Sequence, residues 1–222
     1  MKIKIRLLAI VFLCNHLVFT SCSQNSPLPF HDEIQAFKAQ DKASPPPKNA
    51  ILFVGSSSFK MWADVAAYFP GYTIINRGFG GSGLNDVIRY ADKIIIPYNP
   101  KQIVIYCGEN DIAGSLTSTD VLQRFTKLFN IVRRKLPATP IVFISIKPSP
   151  SREKFIAVIE DSNIKIRQFL DGQPNTVFLD VFHAMLGKDG LPRKELFLED
   201  MLHMNPQGYA LWKTAIEPVL LK

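Results

Sequence analysis

Cysteine is scarce: 222 residues hold three, Cys14, Cys22 and Cys107. So few exclude a disulfide framework as the basis of the fold. Neither CxxC nor HExxH occurs, so the common spacings of dithiol and zinc sites are missing too. No apolar run reaches the roughly 18 residues that cross a bilayer as a helix. There is no internal repeat and no low-complexity tract, which excludes solenoids and repeat arrays. Charge of one sign is only mildly in excess, 26 Lys and Arg against 19 Asp and Glu. No basic stripe interleaved with aromatics accompanies that excess, which argues against a nucleic-acid partner. What is present is an ordinary globular balance, 47% hydrophobic and 20% charged, in a length that suits one domain with a full core.

The first residues stand apart. Met1-Lys2-Ile3-Lys4-Ile5-Arg6 is basic, Leu7 to Phe19 is mostly apolar, and Phe19-Thr20-Ser21-Cys22 closes the stretch with small residues. This three-part layout predicts a secretory signal peptide over residues 1–21. The small residues before Cys22 resemble a bacterial lipobox, which predicts lipid on Cys22 and cleavage before it, although Phe19 stands where Leu is usual. The other reading is an ordinary signal peptide cut near Ser21. Removing residues 1–21 leaves 23 basic and 19 acidic residues, a net +4. Cys107 then remains alone in the domain, and its place in the apolar run Ile-Val-Ile-Tyr-Cys predicts a buried small hydrophobe.

Residues 22–30 are polar and proline-bearing and read as a lipidated tether; 31–222 reads as the domain, with a core over 50–222. Ile34 and Phe37 recur at helical spacing behind Asp32 and Glu33, predicting a short amphipathic helix over 31–42 that Ser44-Pro45-Pro46-Pro47 ends. Beyond it, short apolar runs alternate with helical stretches. Strands are predicted at 50–54, 72–76, 102–107, 140–146 and 176–180. Helices are predicted near 83–95, 119–136 and 151–171, with a last one over 206–220 that opens on Pro206. This alternation implies an α/β fold, a three-layer α/β/α arrangement around a five-stranded parallel sheet. Ligands of such sheets bind at the carboxyl ends of the strands, so the loops after the first four strands should share one edge.

Four polar clusters fall on that edge or near the C-terminus. Gly55-Ser56-Ser57-Ser58 is a turn, a phosphate cradle or a nucleophile loop; it does not fit G-x-S-x-G, because Phe59 stands at the last position. Asn76 to Gly83 holds four glycines and reads as a tight turn or an anion-binding concavity. Asn110, two residues after Gly108, offers a side-chain amide to an oxyanion or caps a helix. Asp200 and His203, three apart, suit a carboxylate that holds an imidazole. No third ligand accompanies them for a metal. Lys147, Arg152 and Arg77 are candidates for lining the mouth and attracting an anionic or polar leaving group, with solvated surface charge as the other reading.

In this order (Ser, Gly, Asn, then Asp-x-x-His) the clusters resemble the SGNH, or GDSL-type, hydrolase superfamily, and "NRGFGG" most resembles its platelet-activating-factor acetylhydrolase-like branch. The resemblance implies a flavodoxin-like fold and ester hydrolysis by a Ser-His-Asp triad. It puts the nucleophile on Ser57, the remaining triad members on Asp200 and His203, and the oxyanion donors on Ser57, Gly81 and Asn110. It implies no cofactor and no metal. The family Asp before the nucleophile is Ser56 here, so the nucleophile loop must be braced without that charge. The implied protein is an exported serine esterase of short acyl groups, acetyl first, on a glycan, lipid or other acylated small molecule, held at a membrane through Cys22 and facing the periplasm. Oligomeric state is not implied. A flavin- or phosphate-binding module, or a non-catalytic glycan-binding member of the same fold, is the rival reading.

Overall fold

The computed structural model describes residues 27–222. The signal peptide predicted over residues 1–21 and the predicted lipid site at Cys22 lie outside the described residues, as do residues 22–26 of the predicted tether. Helix α1 (His31–Ala43) opens with Asp32 and Glu33 in its first turn, where acidic side chains complement the helix dipole. Its anchor is Ile34, only 1% exposed, and burying such a side chain contributes about 2 kcal/mol.

The sheet follows. Strand β1 (Ile51–Gly55) leads to two single-turn helices, α2 (Ser57–Lys60) and α3 (Val65–Tyr68). Then come β2 (Ile74–Gly78), α4 (Leu84–Ile94), β3 (Gln102–Tyr106), a short α5 (Glu109–Ala113) and the long α6 (Ser118–Lys135). The chain ends with β4 (Ile141–Ile144), α7 (Ile156–Asp171), β5 (Thr176–Leu179) and α8 (Pro206–Ile216). All neighbouring strands are parallel, in the order β2-β1-β3-β4-β5. The chain reverses direction across the sheet beside β1, so the crevice where ligands bind such sheets lies at the carboxyl ends of β1, β2 and β3.

Every residue of β1 is buried, because strands flank it and helices cover both faces. Leu52 and Val54 pack with Leu84, Val87, Phe125 and Ile166 on one face. Ile51 and Phe53 pack with Phe59, Trp62, Val65 and Trp212 on the other. The predicted five-stranded α/β/α architecture is therefore present, with Cys107 fully buried as expected. Burial pushes its thiol well above the ordinary range, with Asp111 adding to the shift.

Element bounds shift by a few residues, and two of the departures from expectation bear on the site. Strand β2 starts and ends two residues later than the predicted 72–76 and runs through Arg77 and Gly78. A buried charge there is tolerated because α1 supplies its partners: Arg77 pairs with Asp41 and donates to the Tyr98 hydroxyl. The guanidinium also lies over the rings of Phe37 and Tyr98, 4.9 Å from each centroid. Tyr98, buried and also bonded to Asp41, has its phenol pushed up to about 12, burial being the main cause. The stretch predicted as one helix from 151 is a 3-10 segment over Pro150–Phe155 followed by α7.

Candidate active site

Gly55 determines how the chain leaves β1. Its φ is +147°, and a Cβ there would stand 1.8 Å from the Tyr106 carbonyl oxygen, so only glycine lets β1 end this close to β3. The chain then turns into α2 with Ser57 as its first residue. Ser56, where the family has Asp, is 3% exposed and held by its backbone: its N–H donates to Tyr106 O at 3.1 Å, and its carbonyl accepts from Phe59 and Lys60. Ser58 is buried, and its carbonyl accepts from the Tyr209 hydroxyl at 2.9 Å. Of the three serines, Ser57 is the one whose hydroxyl meets a histidine.

That histidine is His203. Its Nε2 lies 3.0 Å from Ser57 Oγ, across 146 residues of sequence. Its Nδ1 lies 2.5 Å from Asp200 Oδ2. Asp200 Oδ1 accepts from the backbone N–H groups of Leu202 and His203. Burial opposes ionisation of Asp200, but these bonds, led by the one from the imidazole, outweigh it and hold the carboxyl down to about 2, against an ordinary 3.8. A neutral imidazole so held can accept the serine proton, and the carboxylate stabilises the imidazolium that results.

Asn110 reaches the residue that follows Gly81. The Asn110 amide donates to Ser82 O at 3.1 Å, which leaves its second N–H for another acceptor. The single Ser82 hydroxyl proton is shared between Phe79 O at 3.1 Å and Gly55 O at 3.3 Å, so the β2 loop is fastened two residues before Ser57. Gly81 is exposed with φ +70°, and nothing lies within 4 Å of where a Cβ would stand. Asp111, next to Asn110, turns inward: it accepts from Leu84 N–H at 2.8 Å and from Arg124 at 2.7 Å. Burial raises its pKa against both of those bonds.

Lys147 and Arg77 do not line the mouth. Lys147 is fully buried and Arg77 is 5% exposed, and both are spent on internal pairs. Lys147 Nζ donates to Glu109 at 2.7 Å and to Ser149 Oγ at 2.7 Å; Ser149 donates to the other Glu109 oxygen, and Tyr106 OH donates to Glu109 at 2.9 Å. Burial pushes the Lys147 ammonium below its usual range, against the pull of Glu109, and raises the Tyr106 phenol with help from Glu109. The ammonium also lies 5.6 Å from the centre of the Phe197 ring, at the start of the loop that carries Asp200 and His203. Ser151 N–H donates to Met201 O in the same loop. Reading residues as separate polar clusters missed this network. Its one sequence signal is a lysine directly after the apolar run Ile141–Ile146. Arg152 is half-buried.

The chain holds a second Asp-x-x-His, Asp180-Val181-Phe182-His183. Asp180 accepts from the His183 N–H and lies 2.7 Å from its Nδ1, the same local turn as at Asp200. Its Nε2, however, faces Glu160 at 4.0 Å rather than a hydroxyl. Among the described residues no cluster of three or more His, Cys, Asp and Glu is arranged to hold a metal ion, and no helix is long and apolar enough to cross a membrane.

The sequence profile of the GDSL-like lipase/acylhydrolase family matches residues 51–211, and the chain belongs to that family. No curated protein matches the sequence. Among solved structures, a Streptococcus pneumonia protein provisionally described as a platelet activating factor superposes with a TM-score of 0.76 at 22% identity, over 86% of this chain and 92% of its own. A GDSL-like lipase from Bacteroides thetaiotaomicron gives 0.72 at 16%, over 84% and 96%. A carbohydrate esterase of family 3 from Talaromyces cellulolyticus gives 0.61 at 17%, over 77% and 95%. At these identities the likeness establishes the fold.

Proposed function

We propose that the protein is an exported serine esterase that removes short acyl groups, acetyl first, from a carbohydrate or lipid ester through an acyl-enzyme. The observation that carries this is the continuous line Ser57 Oγ–His203 Nε2 and His203 Nδ1–Asp200, at 3.0 and 2.5 Å. In this reading His203 takes the Ser57 proton while Oγ attacks the ester carbonyl. The tetrahedral oxyanion is met by the N–H groups of Ser57 and Gly81 and by the free amide N–H of Asn110. Collapse breaks the bond to the alcohol, which leaves with the proton from His203. Water, deprotonated by the same ring, then releases the acid and restores Ser57. A carbohydrate ester is favoured by the fold shared with a carbohydrate esterase, which is support by analogy. The basic, apolar and small-residue layout of residues 1–22 supports export and a lipid anchor on Cys22.

The test is mass spectrometry after treatment with a fluorophosphonate, together with rates on p-nitrophenyl esters of graded length and on acetylated sugars. The adduct is expected on Ser57 and the highest rate on acetyl. Ser57→Ala and His203→Ala are each expected to lower kcat by several orders of magnitude, while His183→Ala keeps it. An adduct on Ser56 or Ser58, or an active Ser57→Ala, overturns the mechanism. A best rate on chains of eight carbons or more overturns the acyl preference.

A further inference from the structure

The loop that carries Gly81 is fastened at both ends and soft in the middle. Phe79 and Ser82 are fully buried, and the Ser82 hydroxyl proton is shared between the carbonyls of Phe79 and Gly55. Between them Gly80 and Gly81 have no side chains, and glycine pairs carry the widest backbone freedom. An oxyanion donor works only when its N–H is held in place before charge develops. Among the described residues one side chain reaches this pair by a hydrogen bond: Glu33 of α1, whose Oε2 accepts from Gly80 N–H at 3.1 Å. The same oxygen lies 2.8 Å from Lys60 Nζ. Lys60 closes α2, the single turn that Ser57 opens, and its stem lies across Gly80, where an added Cβ would meet Lys60 Nζ at 3.0 Å and Cδ at 3.2 Å.

We infer that Glu33 is a positioning residue that joins the nucleophile turn to the oxyanion loop. It comes from outside residues 51–211, the stretch that matches the family. Its own place is fixed. Ile34 beside it is buried, Phe30 packs edge-on against Phe79 at 5.3 Å, Tyr90 OH donates to Pro29 O, and Asp41 pairs with Arg77. The Glu33–Lys60 pair is half-exposed, with side chains 32% and 51% accessible, and such pairs add little to stability. The role of Glu33 is therefore kinetic, through the amide next to the one that meets the oxyanion. This inference rests on the esterase reading.

The test is kinetics of Glu33→Ala, Glu33→Gln and Glu33→Asp, with melting temperatures and amide exchange over residues 79–82. Glu33→Ala is expected to lower kcat about 10-fold with KM within about twofold, because a displaced donor is lost to the transition state and not to the bound ester. Its melting temperature is expected to stay near wild type, and exchange at Gly80 and Gly81 to quicken. Glu33→Gln keeps an acceptor oxygen in reach and is expected to restore most of kcat. Glu33→Asp keeps the charge, withdraws the oxygen by one methylene and is expected to lose rate, which covers the case in which Ala prevents folding. Unchanged kcat in Glu33→Ala, a Gln variant as slow as the Ala variant, or a loss confined to KM overturns the inference. A wild type with neither esterase activity nor a Ser57 adduct refutes the esterase reading instead, and exchange at Gly80 then decides whether the fastening exists.

Discussion

At the scale of single residues, the site depends on which atom faces the outer nitrogen of a histidine. Asp-x-x-His builds a carboxylate–imidazole pair from local turn geometry alone, and this chain does so twice, at Asp180–His183 and Asp200–His203. Only the second ring meets a serine. The local half of the triad was therefore legible in the sequence as spacing. The choice between the two pairs depends on a contact across 146 residues, which spacing does not carry and which resemblance to the family supplied. Asp200 has a consequence of its own. Its folded pKa, about 2, lies below its ordinary 3.8, so the folded state holds fewer protons there than the unfolded chain between those values. Its contribution to stability is complete above about pH 4 and fades as pH falls toward 2. The stability difference between wild type and Asp200→Asn is expected to shrink as pH falls from about 4 toward 2, as read from denaturant unfolding at each pH. A difference that widens in acid would contradict the assignment.

At the scale of elements, the long apolar runs and strongly periodic helices were legible, and the single turns were not. Helices α2 and α5 span four and five residues, too short for any periodicity to register, yet they carry Ser57 and Asn110. Strand β2 was misplaced because Arg77 looks like an end when read alone and becomes a core residue once Asp41 arrives from α1. Lys147 belongs to the same class of error. A lysine just after a strand reads as surface charge, whereas here the β4–α7 connection folds it beneath the catalytic loop against Glu109. Removing one partner of such a pair leaves the other buried and uncompensated, at a cost of about 3–5 kcal/mol. Lys147→Met is therefore expected to lower stability by that order, and Glu109→Gln added to it to recover a substantial part. Chemical denaturation of the single and double variants measures both. Additive losses would show that the two side chains do not act as a pair.

At the scale of the whole molecule, α1 couples the start of the chain to the catalytic edge of the sheet. Membrane fractionation is expected to find wild-type protein with the membrane and Cys22→Ala released or unprocessed; identical partitioning would refute the anchor. For a chain held at Cys22, the packing of Phe30 on Phe79 and the bond from Tyr90 to Pro29 set a working radius. Six residues lie between Cys22 and Pro29, so the seven steps from one to the other span at most about 25 Å. If Cys22 carries the anchor, the leash enters the fold beside the loop of Phe79 and Gly81, on the edge of the sheet that holds Ser57. The esters within reach of a domain so anchored would be those that lie against the membrane surface or are delivered to it.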